Sequence, residues 1–131
     1  MTIVTCPMSV VTAGAHLVKI RHGVKSPEDA KHVGLDHADK KGLLDAFKET
    51  IGHIHAAMLD LRQYGVMEME WGPGLLHFDN AERSMRQGDD ARAWAEILCA
   101  HNCFRQVLDT HGIANPTNAE IAGVIAYGNW R

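Results

Sequence analysis

The sequence predicts an α+β domain that is mostly α: two long helices at about 36–64 and 90–111, several short helices and a small N-terminal β-hairpin. Three observations predict it. Apolar residues recur at alternating spacings of three and four through the long segments, as one face of an α-helix requires. β-Branched residues crowd the first 22 positions, and such residues favour strands. Gly34, Gly65, Gly88 and Gly112 punctuate the chain where helices should stop.

The chain of 131 residues has the length of one domain, and 1–131 is read as a single globular unit. Its composition, 46% hydrophobic and 22% charged, supplies enough apolar surface for an ordinary core and argues against disorder. No repeat, low-complexity tract or linker-like run divides it.

The hairpin is expected from Ile3–Val11 and Ala15–His22, turned at Thr12-Ala13-Gly14. Ser26-Pro27-Glu28-Asp29 then opens a short helix, with Ser as N-cap, Pro at the first helical position and acids in the first turn, ending near Gly34. In the long helix from about 36 to 64, Leu44, Phe47, Ile51, Ile54, Met58 and Leu61 form one stripe, stopped by Gly65. Val66–Trp71 alternates and reads as a strand, and Gly72-Pro73-Gly74 reads as a turn. Asp79 and Glu82 have capping-box spacing for a short helix ending near Gly88. The second long helix, about 90–111, is apolar over much of its circumference and is expected to be central. Thr117 and Glu120 form a further capping box, opening a helix through about Tyr127.

The net charge of −3 points to no particular partner. Residues 1–25 carry Lys19, Arg21 and Lys25 and no acid, which makes nucleic-acid binding through these three a reading to weigh. A nucleic-acid footprint requires a denser basic cluster. No stretch approaches the roughly 20 apolar residues of a membrane span. The first residues lack the basic start and the apolar run of about 7–15 residues of a secretory signal. Three cysteines, Cys6, Cys99 and Cys103, form no disulfide framework, so a cytoplasmic protein with free thiols is expected.

Nine histidines invite a metal hypothesis. His53 and His55 are two apart, about 200° around a helix, and cannot chelate one ion from it. Asp45, Glu49 and His53 share a helical stripe that could hold a metal or position a base, as inward-facing Glu and His do in di-iron bundles. That stripe lies away from the apolar face, so solvation is expected. Cys99, His101 and Cys103 cannot close a tetrahedron around zinc from one helix. His101 stands apart, falling at the centre of the Trp94, Ile97, Phe104, Leu108 stripe. There it is either a buried structural imidazole or a base or ligand in a cleft between the long helices.

Catalytic signatures such as Gly-x-Ser-x-Gly, the phosphate loop and His-Glu-x-x-His do not occur. The run Thr117–Tyr127 resembles the first helix of a helix-turn-helix, but the residues after it do not supply a recognition helix, and DNA reading is not expected from it. Trp71 beside the Gly-Pro-Gly turn, with Tyr127 and Trp130, are the candidate anchors for a protein partner. The expected function is therefore a non-enzymatic binding protein: a regulator, inhibitor or assembly factor of the compact kind that mobile genetic elements encode. It is expected to use no cofactor and no metal. The alternatives are a small enzyme or metal protein using His101 or the Asp45, Glu49, His53 stripe, and nucleic-acid binding through Lys19, Arg21 and Lys25.

Overall fold

The structure, a computed structural model, describes residues 4–25 and 40–127, leaving aside the side chains of His22, Lys25, Lys40, Lys41 and Tyr127. Over these residues the chain is 84% helical and has no strand. The helices are α1 (Met8–Lys25), α2 (Lys40–Leu61), α3 (Glu68–Arg86), α4 (Asp90–Thr110) and α5 (Asn118–Tyr127), with a 3₁₀ turn at Arg62–Tyr64. The predicted helix opening at Ser26 and the proposed start of the long helix near 36 lie outside the described residues.

The fold is thus all-α, and the predicted N-terminal hairpin is overturned. Residues expected to form two strands and a turn form α1. Pro7 sets the start: it immediately precedes the helix, and its carbonyl accepts from the Val10 and Val11 N–H groups at 3.0 and 3.1 Å. Val11 and Ala15, one turn apart on one side of α1, and Ile20, on the opposite side, are each at most 1% exposed. Burial on this scale outweighs the few tenths of a kcal/mol by which each β-branched residue disfavours a helix. The extended residue Val4 pairs instead with the far end of the chain. Its N–H donates to the Gly112 carbonyl and its carbonyl accepts from the Ala114 N–H, both at 2.9 Å, in an isolated parallel bridge.

α3 overturns the predicted strand at Val66–Trp71, the turn at Gly72-Pro73-Gly74 and the helix start at Asp79, since all but Val66 and Met67 lie inside one helix. Its N-terminus is closed by Glu70, whose Oε2 accepts from the Met67 N–H at 2.7 Å. Pro73 removes one helical N–H from the second turn. Beyond it, Gly74 lets α3 approach α4 closely: a Cβ there would lie 2.8 Å from Phe104 Cε1, so the neighbour would have to shift. Gly-Pro-Gly is here a site of helix contact. Asp79 and Glu82 belong to the helix interior, where Glu82 accepts from Arg86 one turn on, at 2.9 Å.

α3 pairs most extensively with α4, α1 packs on α2, and α1 also meets α4 and α5. Phe47 of α2 and Phe78 of α3, both fully buried with ring centroids 4.9 Å apart, join the two pairs in one core. α5 is opened by the predicted capping box: Glu120 N–H donates to Thr117 Oγ1 at 3.0 Å and Thr117 N–H to Glu120 Oε1 at 3.1 Å. Among the described residues no helix is long and apolar enough to cross a membrane.

Candidate functional site

One face of α1 and one face of α4 turn toward a shared space. On α1 the row Val10, Gly14, Leu17, Arg21 recurs every three to four residues, and on α4 the row Trp94, His101, Arg105 recurs at whole turns. Between them lies a pocket of about 390 Å³. Ile54, Ala57 and Met58 of α2 form its floor, and Asn115, Pro116, Asn118 and Ile121 close a further side. Gly14 lets that closing segment approach, since a Cβ at this position would lie 3.3 Å from the Pro116 ring.

Most of the lining residues are apolar, but polar groups contribute nearly as much of the exposed surface, and among the described residues the ionisable groups are Arg21, His101 and Arg105. Arg21 Nη1 lies 3.2 Å from His101 Nδ1. A guanidinium only donates, so Nδ1 is the acceptor and the neutral ring carries its proton on Nε2. Burial, then the charges of Arg21 and Arg105, push the His101 pKa down to about 4. At neutral pH the polar wall therefore carries two guanidinium charges around an uncharged imidazole. Trp94 holds Arg21 from another side, its ring centroid 5.7 Å from the guanidinium carbon. Among the described residues neither arginine forms an ion pair with a carboxylate. Asp109, one turn beyond Arg105, accepts from Asn115 Nδ2 at 2.7 Å.

His101 is thus placed at a pocket wall formed by α1, α2 and α4. Arg105, four residues on, was not singled out from the sequence, although the spacing of one turn marks it as a neighbour of His101. Asn115 carried no signal, because a lone Asn in a loop is indistinguishable from a turn residue.

The other sequence candidates fall elsewhere. Trp71 is not beside a turn at the surface: it lies in α3, 6% exposed, with its ring edge-on to His55 at 5.3 Å. Tyr127 ends α5 and its side chain is outside the described residues, as is all of Trp130. Lys19 is buried at 5% exposure and Arg21 faces the pocket, so the basic trio does not form one surface face; the side chain of Lys25 is not described. Asp45 and Glu49 are exposed, whereas His53 stacks on His16 of α1 with centroids 4.0 Å apart. Among the described residues no three His, Cys, Asp or Glu side chains come together as a metal site. The thiols are free. Burial, with Glu120 nearby, pushes Cys6 up to about 11, and burial also raises Cys103, so neither is an activated nucleophile.

Two further pairs escaped the sequence reading. His111 Nε2 lies 2.6 Å from Glu70 Oε1, tying the end of α4 to the start of α3, and His77 Nδ1 lies 2.6 Å from Glu96 Oε2. The hydrogen bonds from Met67 and His111 hold the Glu70 carboxyl below its ordinary range.

Neither protein-family models, curated proteins nor solved structures give a match to this chain.

Proposed function

We propose that this is a non-enzymatic binding protein whose ligand is a small, largely apolar molecule held between α1, α2, α4 and residues 115–121. The observation that carries this reading is the pocket of about 390 Å³ with its apolar lining and a few convergent polar groups. Its size lies within the range of roughly 300–1,000 Å³ in which small-molecule sites fall. The lining supports binding over chemistry, since among the described residues it contains no Ser, Thr, Cys, Lys, Asp or Glu and the Nδ1 lone pair of His101 is already engaged by Arg21. The binding role expected from the sequence is kept. We favour a small molecule over a protein as its occupant, because Trp71, one of the three candidate protein anchors with Tyr127 and Trp130, is buried in the core.

The neutral fluorophore N-phenyl-1-naphthylamine tests the reading. Saturable, one-to-one fluorescence enhancement is expected with the wild-type protein. Val18 lines the pocket from α1 and is half-buried, so Val18→Trp should fill the space and abolish the enhancement while the helical circular-dichroism spectrum is kept. Uptake that does not saturate, or that is unchanged in a folded Val18→Trp protein, would refute the proposal.

A further inference from the structure

We infer that the pocket selects an organic anion, a monocarboxylate with an apolar tail, whose head is held by Arg21 and Arg105 beside His101 and whose tail lies against the α1, α2 and α4 walls. The inference rests on the pocket reading above and names the ligand's chemical class.

Charge supplies the first argument. Two permanently charged guanidiniums border a cavity lined by both apolar and polar groups, and no described Asp or Glu lines it. Leaving a charge partly desolvated without a partner is costly; that cost falls on half-buried Arg21, while Arg105 is exposed at the pocket rim, and among the described residues neither has a carboxylate partner. The nearest acid along α4, Asp109, is engaged by the Asn115 amide. A ligand carboxylate would supply a counter-charge that none of the described residues gives. Its two oxygens match the planar donor fork of an arginine better than a single hydroxyl or carbonyl does.

Preorganisation supplies the second. The Arg21 guanidinium is held by the Trp94 ring and by His101 Nδ1, and both contacts leave guanidinium N–H groups over. With Nδ1 accepting, His101 keeps Nε2–H as a further donor. This wall therefore presents donors, as an anion requires, and Arg105 stands one turn from His101 on the same row. The remainder of the pocket sets the tail. Leu17, Ile54, Met58, Phe104 and Leu108 offer hydrocarbon surface, which disfavours small inorganic anions because they leave that surface uncovered.

Octanoate and octan-1-ol, which share a hydrocarbon chain of one length and differ in the head group, are competed against N-phenyl-1-naphthylamine at pH 7.5. Octanoate is expected to displace the probe at a concentration roughly tenfold lower than octanol, an effect typical of a charge-assisted arginine contact. Arg105→Gln, at an exposed position that should not affect folding, is expected to narrow that gap, and Arg21→Gln to close it, with octanol displacement unchanged in both. Octanol matching octanoate on the wild-type protein, or a full octanoate preference retained in Arg105→Gln, would overturn the inference while leaving the pocket reading intact. Failure of the neutral probe, octanol and octanoate alike to bind would overturn the pocket reading and this inference together.

Discussion

A missing side chain sets the distance between α3 and α4. A methyl group at Gly74 would meet Phe104 Cε1 and Cζ at 2.8 and 2.9 Å and Cys103 Sγ at 3.2 Å, so any larger residue would force those neighbours to shift. Gly74→Ala is expected to destabilise the protein by about 1–3 kcal/mol, the usual cost of overpacking, read from the urea midpoint. Gly72→Ala is the control for interhelical packing, since nothing beyond its chain neighbours lies within 4 Å of an added methyl; a net change below about 1 kcal/mol is expected, the gain in helix propensity being offset by the crowding of a Cβ that precedes Pro73. Neither role could be assigned from the sequence, where Gly-Pro-Gly is a turn signal. Arg21 teaches the same lesson: its charge was visible, but its contact with His101 joins positions 80 apart.

At the scale of the elements, the Thr117–Glu120 box and the glycine stops at 65, 88 and 112 match the structure, whereas the equally local Asp79–Glu82 box and Gly72-Pro73-Gly74 turn are overridden by the continuous helix α3. The Thr117–Glu120 box forms both of its reciprocal hydrogen bonds, because everything it needs lies within one turn. Thr117→Ala is expected to cost about 1 kcal/mol. The loss should be local. α5 packs on α1, and amide hydrogen exchange should speed up over 119–124 while α3 and α4 keep their protection. The glycines at 65, 88 and 112 also end helical stretches as expected, each with a positive φ. α1 and the first half of α3 are the failures. Val10, Val11, Val18 and Ile20 carry strand propensity, yet α1 is held helical by packing against α2, α4 and α5, a force with no local trace. The alternation of Val66–Trp71 misled in the same way. Val66 and Trp71 are buried while the residues between them cover the start of a helix.

For the whole molecule, the buried imidazoles tie stability to pH. Burial first, then the neighbouring His53 and Lys19, push His16 from its ordinary value near 6.5 down to about 4, and His101 is lowered to a similar value. Above about pH 7.5 both residues are neutral in the folded and unfolded chains alike, so their shifts cost nothing. As pH falls, the unfolded chain takes up protons first, and the folded state loses stability down to about pH 4. For His16, 3% exposed, the loss approaches roughly 3 kcal/mol at about 1.36 kcal/mol per unit. A urea midpoint series between pH 7.5 and 4 should therefore decline, and His16→Gln should flatten it. An unchanged slope in that variant would count against the role given to His16.

What the sequence determined by itself was the α2 and α4 helices, the helix stops at Gly65, Gly88 and Gly112 and the α5 cap. These follow from periodicity and capping, whose partners lie within a turn or two along the chain. Tertiary structure alone decided that residues 8–25 and 68–74 are helical, that Val4 pairs with residues 112–114, that Trp71 is buried, and that Arg21, His101 and Arg105 share one wall of a pocket. Each of these depends on contacts between distant positions, whose energies exceed the local preferences that oppose them. The candidate site belongs to the second group: its residues come from α1, α2, α4 and the 115–121 segment, and they meet only when the core closes.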